Sequence, residues 1–110
     1  MIKFKQLLNE VLDTYKSDWI DRHHGVVENG RLIAYHGTTP QNYTSIQKNG
    51  FKPGSYFSLD SGYSKRITSI YHNIPQKNVI LIRVKLPLDA VDFVASDIVA
   101  NRNINFNETL

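Results

Sequence analysis

The stretch Leu32 to Thr39, LIAYHGTT, ends an apolar run in groups that hydrogen-bond. His36 can donate or accept through either ring nitrogen. Gly37 lacks a Cβ, so a ligand can approach its backbone closely. Thr38 and Thr39 add hydroxyls. Such a strand end could grip an amide through the main chain of Gly37 and a sugar hydroxyl through His36 or Thr38. The same residues also read as a satisfied core histidine, a turn glycine and an N-cap threonine. A second set, Gly54-Ser55-Tyr56-Phe57-Ser58, follows one short helical segment later. Tyr56 and Phe57 point to opposite faces of a strand. One can fill the core while the other offers a flat face to a planar ring, a stack worth about 0.5–1.5 kcal/mol beyond area burial. Ser58 returns to the side of Tyr56. Burial of both aromatics is the ordinary alternative.

These groups need elements to hold them. RLIAYHGT reads as a strand, and VVE before Asn29-Gly30 reads as its hairpin partner. PQNYTSIQKNG reads as a short helix, with Thr39 as N-cap, Pro40 at the first helical position and Gly50 at the end. Tyr43, Ile46 and Phe51 should anchor it. GSYFSL is a short strand. DSGYSKRITSIYHN is a second helix, capped by Asp60 or Ser61 and expected to face inward with Tyr63, Ile67, Ile70 and Tyr71. NVILIRVKLP is the clearest strand, with Ile80, Ile82, Val84 and Leu86 on its core face. AVDFVASDIVA gives one or two short strands, and Ile104 and Phe106 can pack near the end. At the start, Phe4, Leu7, Leu8, Val11, Leu12 and Tyr15 share one side of a 3.6-residue period, which predicts an amphipathic helix over residues 3 to 18. Its stripe is expected to pack on the domain, with a partner-binding helix as the alternative. Strands mixed with short helices and no βαβ repeat indicate an α+β fold.

The chain has 110 residues, which suits one domain with one modest core. A hydrophobic content of 41% and a charged content of 21% fit a folded soluble protein and not a disordered tail. There is no cysteine, which excludes disulfides, thiolate metal ligands and cysteine nucleophiles. His23 and His24 are adjacent with no acid at metal-ligand spacing, so they read as a surface loop and no metal site is expected. The polar residues interrupting the first fifteen positions exclude a signal peptide's apolar region or a membrane span there, and a cytoplasmic location is expected. The net charge is +3, with lysines and arginines scattered and no block like a nucleic-acid arm, so the charges read as a solvated surface.

The order YHGT, then I-x-x-x-GF-x-PG-x-YFS, then a helix, then V-I-L-I-x-V-x-LP resembles the ADP-ribosyltransferase fold. The likeness is closest to the diphtheria-toxin and poly(ADP-ribose) polymerase branch with its His-Tyr-Glu signature. It covers residues 32–110 and leaves an N-terminal helix, residues 1–20, outside, within a single domain of residues 1–110. The resemblance implies a small split β-sheet core with short helices. It implies NAD as co-substrate, with His36 on the nicotinamide-side ribose, the Gly37 backbone on the carboxamide and Thr38 beside the ribose. Tyr56 would stack on nicotinamide, with Phe57 and Ser58 nearby. Ser64 and Ile67 are the closest positions for a contact from the following helix.

Breaking the nicotinamide N-glycosidic bond builds positive charge on the ribose, which a carboxylate stabilises. The family places a glutamate there, but no glutamate lies between Glu28 and Glu108. The matching segment is VASDIVA, which puts Asp97 in the acid's place. A slip of one residue puts Ser96 there, on the opposite face. Glu108 and Asp92 are further candidates. The expected function is mono-ADP-ribosyl transfer to a macromolecular acceptor, a protein in preference to a nucleic acid. The alternatives are a binding module for NAD or ADP-ribose that has lost turnover, and a small viral-type interaction or inhibitor protein.

Overall fold

The computed structural model describes residues 14–110. Strands β1 (Val27–Glu28) and β2 (Arg31–Thr38) form the expected hairpin. Its two turn residues, Asn29 and Gly30, both sit at positive φ, 52° and 76°. That is what a tight two-residue hairpin turn demands, and Asn-Gly tolerates it better than other pairs. Strand β4 (Ile80–Pro87) runs antiparallel along all of β2, from Arg31 opposite Pro87 to Thr38 opposite Ile80. Alternation then buries Leu32 and Ala34 of β2 against Ile82, Val84 and Leu86 of β4, the core face read from the pattern.

A second three-stranded sheet takes the order β3 (Tyr56–Phe57), β6 (Asp97–Ala100), β5 (Val91–Val94). The segment AVDFVASDIVA thus supplies two strands, joined by a turn in which Ala95 holds φ at 56°. The two sheets meet at one bridge, where Tyr35 and Ser58 exchange backbone hydrogen bonds of 2.8 and 2.9 Å. The architecture is α+β, with two small antiparallel sheets and three α-helices among the described residues. Among these residues, no helix is long and apolar enough to cross a membrane.

Helix α1 occupies residues 14–22. Most of the amphipathic stripe, from Phe4 to Leu12, lies outside the described residues. The helix end buries Trp19 and Ile20 in the common core, and the Tyr15 hydroxyl donates to the Phe93 carbonyl at 3.1 Å. Helix α2 (Pro40–Asn49) begins as read: Thr39 Oγ1 accepts the Asn42 N–H at 3.2 Å and Pro40 opens the first turn. It ends at Gly50, with Tyr43 and Ile46 packed on the core and Phe51 buried.

Helix α3 (Ser61–His72) is capped by Asp60, whose carboxylate accepts the Tyr63 N–H at 3.0 Å. Its inward face corrects the sequence reading. Ser64 and Thr68 are buried, while Tyr63, Ile67, Ile70 and Tyr71 are exposed. The cause lies in β2. A Cβ on Gly37 would stand 2.7 Å from the Ser64 carbonyl oxygen and clash with Thr68 Oγ1. The helix rides so close to the strand that only small side chains fit between them. The missing Cβ of Gly37 therefore admits a helix and not a ligand.

Candidate functional site

His36 stands near the end of β2, on its core face, and its ring packs on Phe51 and Phe57 with centroids 5.1 and 5.4 Å away. Its Nδ1 donates to the Tyr56 carbonyl at 2.7 Å, a bond that ties β2 to β3. A carbonyl only accepts, so the Nδ1 position carries the proton and Nε2 keeps a lone pair in the neutral ring. Burial disfavours the imidazolium and pushes the His36 pKa below the ordinary histidine value, opposed in part by the Tyr56 carbonyl. The ring is thus set up as a neutral acceptor, the form that receives a hydroxyl hydrogen bond.

Around it opens a cleft of about 800 Å³, walled by the ends of β2 and β3, by α3, and by the β5–β6 turn. His36, Gly37 and Thr38 line it from β2, and Tyr56, Phe57 and Ser58 from β3. The two aromatics divide as alternation requires: Phe57 is buried in the core, and Tyr56 is 64% exposed with its ring free to take a partner. Ser58 is already engaged, its Oγ donating to the Asp60 carbonyl and accepting the Asp60 N–H at 2.8 and 2.9 Å. It shapes the entry to α3. Ser64 and Ile67 also line the cleft; Ser64 is buried with Oγ donating to the Tyr35 carbonyl at 3.3 Å, and Ile67 is open.

Gly37 contributes through its edge. Odd positions of β2 direct their backbone groups away from β4, as Ile33 and Tyr35 show by bonding to Val26 and Ser58. The N–H and C=O of Gly37 face that same edge, and among the described residues no backbone group pairs with them there. An adjacent donor and acceptor of this kind match a primary carboxamide.

Tyr56 of β3 stands opposite Val99 of β6. Asp97 lies two residues before Val99 and so shares the face of Tyr56. Asp97 is exposed and lines the cleft, as does Ser96 in the turn before it. The other two candidates lie outside the cleft. Asp92 accepts from Asn101 Nδ2 at 3.2 Å. Glu108 pairs with Arg102 at 3.0 Å and accepts the Asn105 N–H at 2.8 Å; these bonds, that to Arg102 foremost, hold its carboxyl below the usual range. A carboxylate so occupied serves the chain end.

Two cleft residues escaped the sequence reading. Trp19 is sandwiched between His23 and Phe93, each ring centroid 4.1 Å away, and its Nε1 donates to the Ala95 carbonyl at 2.7 Å. His23 Nδ1 donates to the Trp19 carbonyl at 2.8 Å. Both line the cleft, so His23 is no simple loop residue and α1 helps hold the turn that carries Ser96 and Asp97. A faint signal was present: the chain's single tryptophan sits four residues before His23, on the same helical face. Among the described residues, no three metal-ligating side chains gather. No family model matches the chain, and neither a curated protein nor a solved structure matches it.

Proposed function

We propose that the protein is a mono-ADP-ribosyltransferase that takes NAD as co-substrate and delivers ADP-ribose to a macromolecular acceptor. One observation carries this reading: His36, Tyr56 and Asp97 come from three separate strands and line a single cleft beside the open edge of Gly37. Each meets a distinct need of the reaction. The Tyr56 ring stacks on the nicotinamide, and the Gly37 N–H and C=O hold its carboxamide. Neutral His36 accepts a ribose hydroxyl through Nε2. The C1′–N bond breaks, and nicotinamide leaves with the bonding pair as a neutral molecule. The cation left on the ribose is stabilised by the Asp97 carboxylate. An acceptor lone pair forms the new bond to C1′, and the acceptor's proton passes to solvent or to Asp97.

One feature favours a second reading, binding without turnover. Asp97 is a methylene shorter than glutamate and lies at the exposed start of β6. Nicotinamide release from labelled NAD, measured beside calorimetric NAD binding, separates the two. The transferase reading expects release that Tyr56→Ala and Asp97→Asn each lower at least about tenfold, the effect of losing one good transition-state contact. Binding with no release supports the second reading, and absence of both overturns each of them.

A further inference from the structure

We infer that the exposed face of α3, with the mouth of the cleft, is a landing surface for single-stranded nucleic acid. The first support is charge. Residues 29–88 contain eight lysines and arginines and a single acid, Asp60, whereas the flanking segments carry five such cations and nine acids. The excess of cations is thus concentrated in this stretch of the sequence; Lys85 within it pairs with Glu28 at 3.5 Å, and the cleft itself is lined by Arg66, Asp60 and Asp97. The lone acid is occupied at the N-cap of α3. Lys65 and Arg66 lie on α3, and Lys77 lies in the 3-10 turn Gln76–Asn78 packed on it. Arg83 pairs in register with Tyr35, and so points to the side of the sheet on which α3 rides. Among the described residues none of these four makes an ion pair.

The second support is the aromatic rim. Tyr71 is 83% exposed, and Tyr63 is open with the Arg66 guanidinium 5.8 Å over its ring; both line the cleft. A purely electrostatic partner such as an acidic peptide has no use for the exposed phenol rings of Tyr63 and Tyr71. Unpaired bases do, because every base has a flat face, and a cationic track with interleaved aromatics is the chemistry that holds a single strand. A duplex hides those faces within its own stack.

The surface formed by Tyr63, Arg66 and Tyr71 uses no residue that the NAD reading assigns to nicotinamide or ribose. Its use as an acceptor site rests on the reading above, in which a base N–H or a sugar hydroxyl of the strand attacks C1′, nicotinamide leaves with the bonding pair, and the attacking group loses its proton to solvent.

The test is a fluorescence-anisotropy titration of the full chain, without NAD, against a labelled single-stranded oligonucleotide, the same sequence as a duplex, and a polyglutamate peptide. The single strand is expected to bind tightest, with affinity falling as salt rises. Tyr71→Ala should weaken it roughly 5- to 150-fold, the cost of one lost base stack. The double change Lys65→Gln, Arg66→Gln should weaken it and flatten the salt dependence. Tyr71 and Arg66 are exposed and Lys65 is half-buried, and a thermal melt confirms that each variant folds. Equal or tighter binding of the duplex, equal binding of polyglutamate, or indifference to Tyr71→Ala overturns the inference. Nicotinamide release is read separately: release without strand binding sinks this surface alone, and strand binding without release sinks the transferase reading alone.

Discussion

Helices α1 and α3 border the same cleft and treat their aromatic residues in opposite ways. Helix α1 drives Trp19 fully into the core, stacked on both sides and hydrogen-bonded to the β5–β6 turn. Helix α3 turns Ser64 and Thr68 inward and leaves Tyr63 and Tyr71 in solvent. The difference shows that the distance between a helix and its sheet, more than the hydropathy of the helix, decides which face is buried. Where the strand offers Gly37, the helix comes close and large side chains are expelled. One helix stabilises the fold and the other presents a surface.

The sharpest way to break this contrast is to truncate one aromatic from each helix. Trp19→Ala should cost about 3–5 kcal/mol in urea unfolding, because it empties a packed site and strands the Ala95 carbonyl. Tyr71→Ala should stay within about 0.5 kcal/mol of the parent. Equal losses would mean that both helices pack alike. A middle-sized effect sharpens the cause: Gly37→Ala should cost about 1–3 kcal/mol, since the Ser64 carbonyl has to move to make room. An unchanged midpoint would deny the close approach.

The smallest effect concerns pH. The folded state holds His36 below its ordinary pKa, so between that lowered value and about 6.5 the unfolded chain binds more protons. The stability that His36 contributes as a neutral ring is complete above about 6.5 and is lost as pH falls through the folded pKa. Unfolding midpoints of the parent and His36→Gln, measured across that range, should differ in slope, with the parent declining faster on acidification. Parallel slopes would mean that the ring is as easily charged in the cleft as in water.

Local rules carried much of the reading. The Asn29-Gly30 turn, the Thr39 and Asp60 caps and the alternating face of β4 rest on neighbours in sequence, and each is found. The opposed fates of Tyr56 and Phe57 follow from a period of two. The face of α3 was misread because apolar spacing was weighed without the glycine on another element that sets the gap. Trp19 was missed because its partners Phe93 and Ala95 lie far along the chain, and no local pattern joins them. The charge polarity could be counted from the sequence, but only by following where the acids are absent.

The Tyr35–Ser58 bond pair is the one β-bridge between the two sheets among the described residues. Beside that bridge, the bond from His36 Nδ1 to the Tyr56 carbonyl also ties β2 to β3, so two short links and no continuous ladder join the sheets. Phe51 and Phe57 meet edge to face with centroids 5.2 Å apart, and both pack against the His36 ring. Phe57 is buried and also lines the cleft, so a change in its volume would reshape the cleft from its buried side.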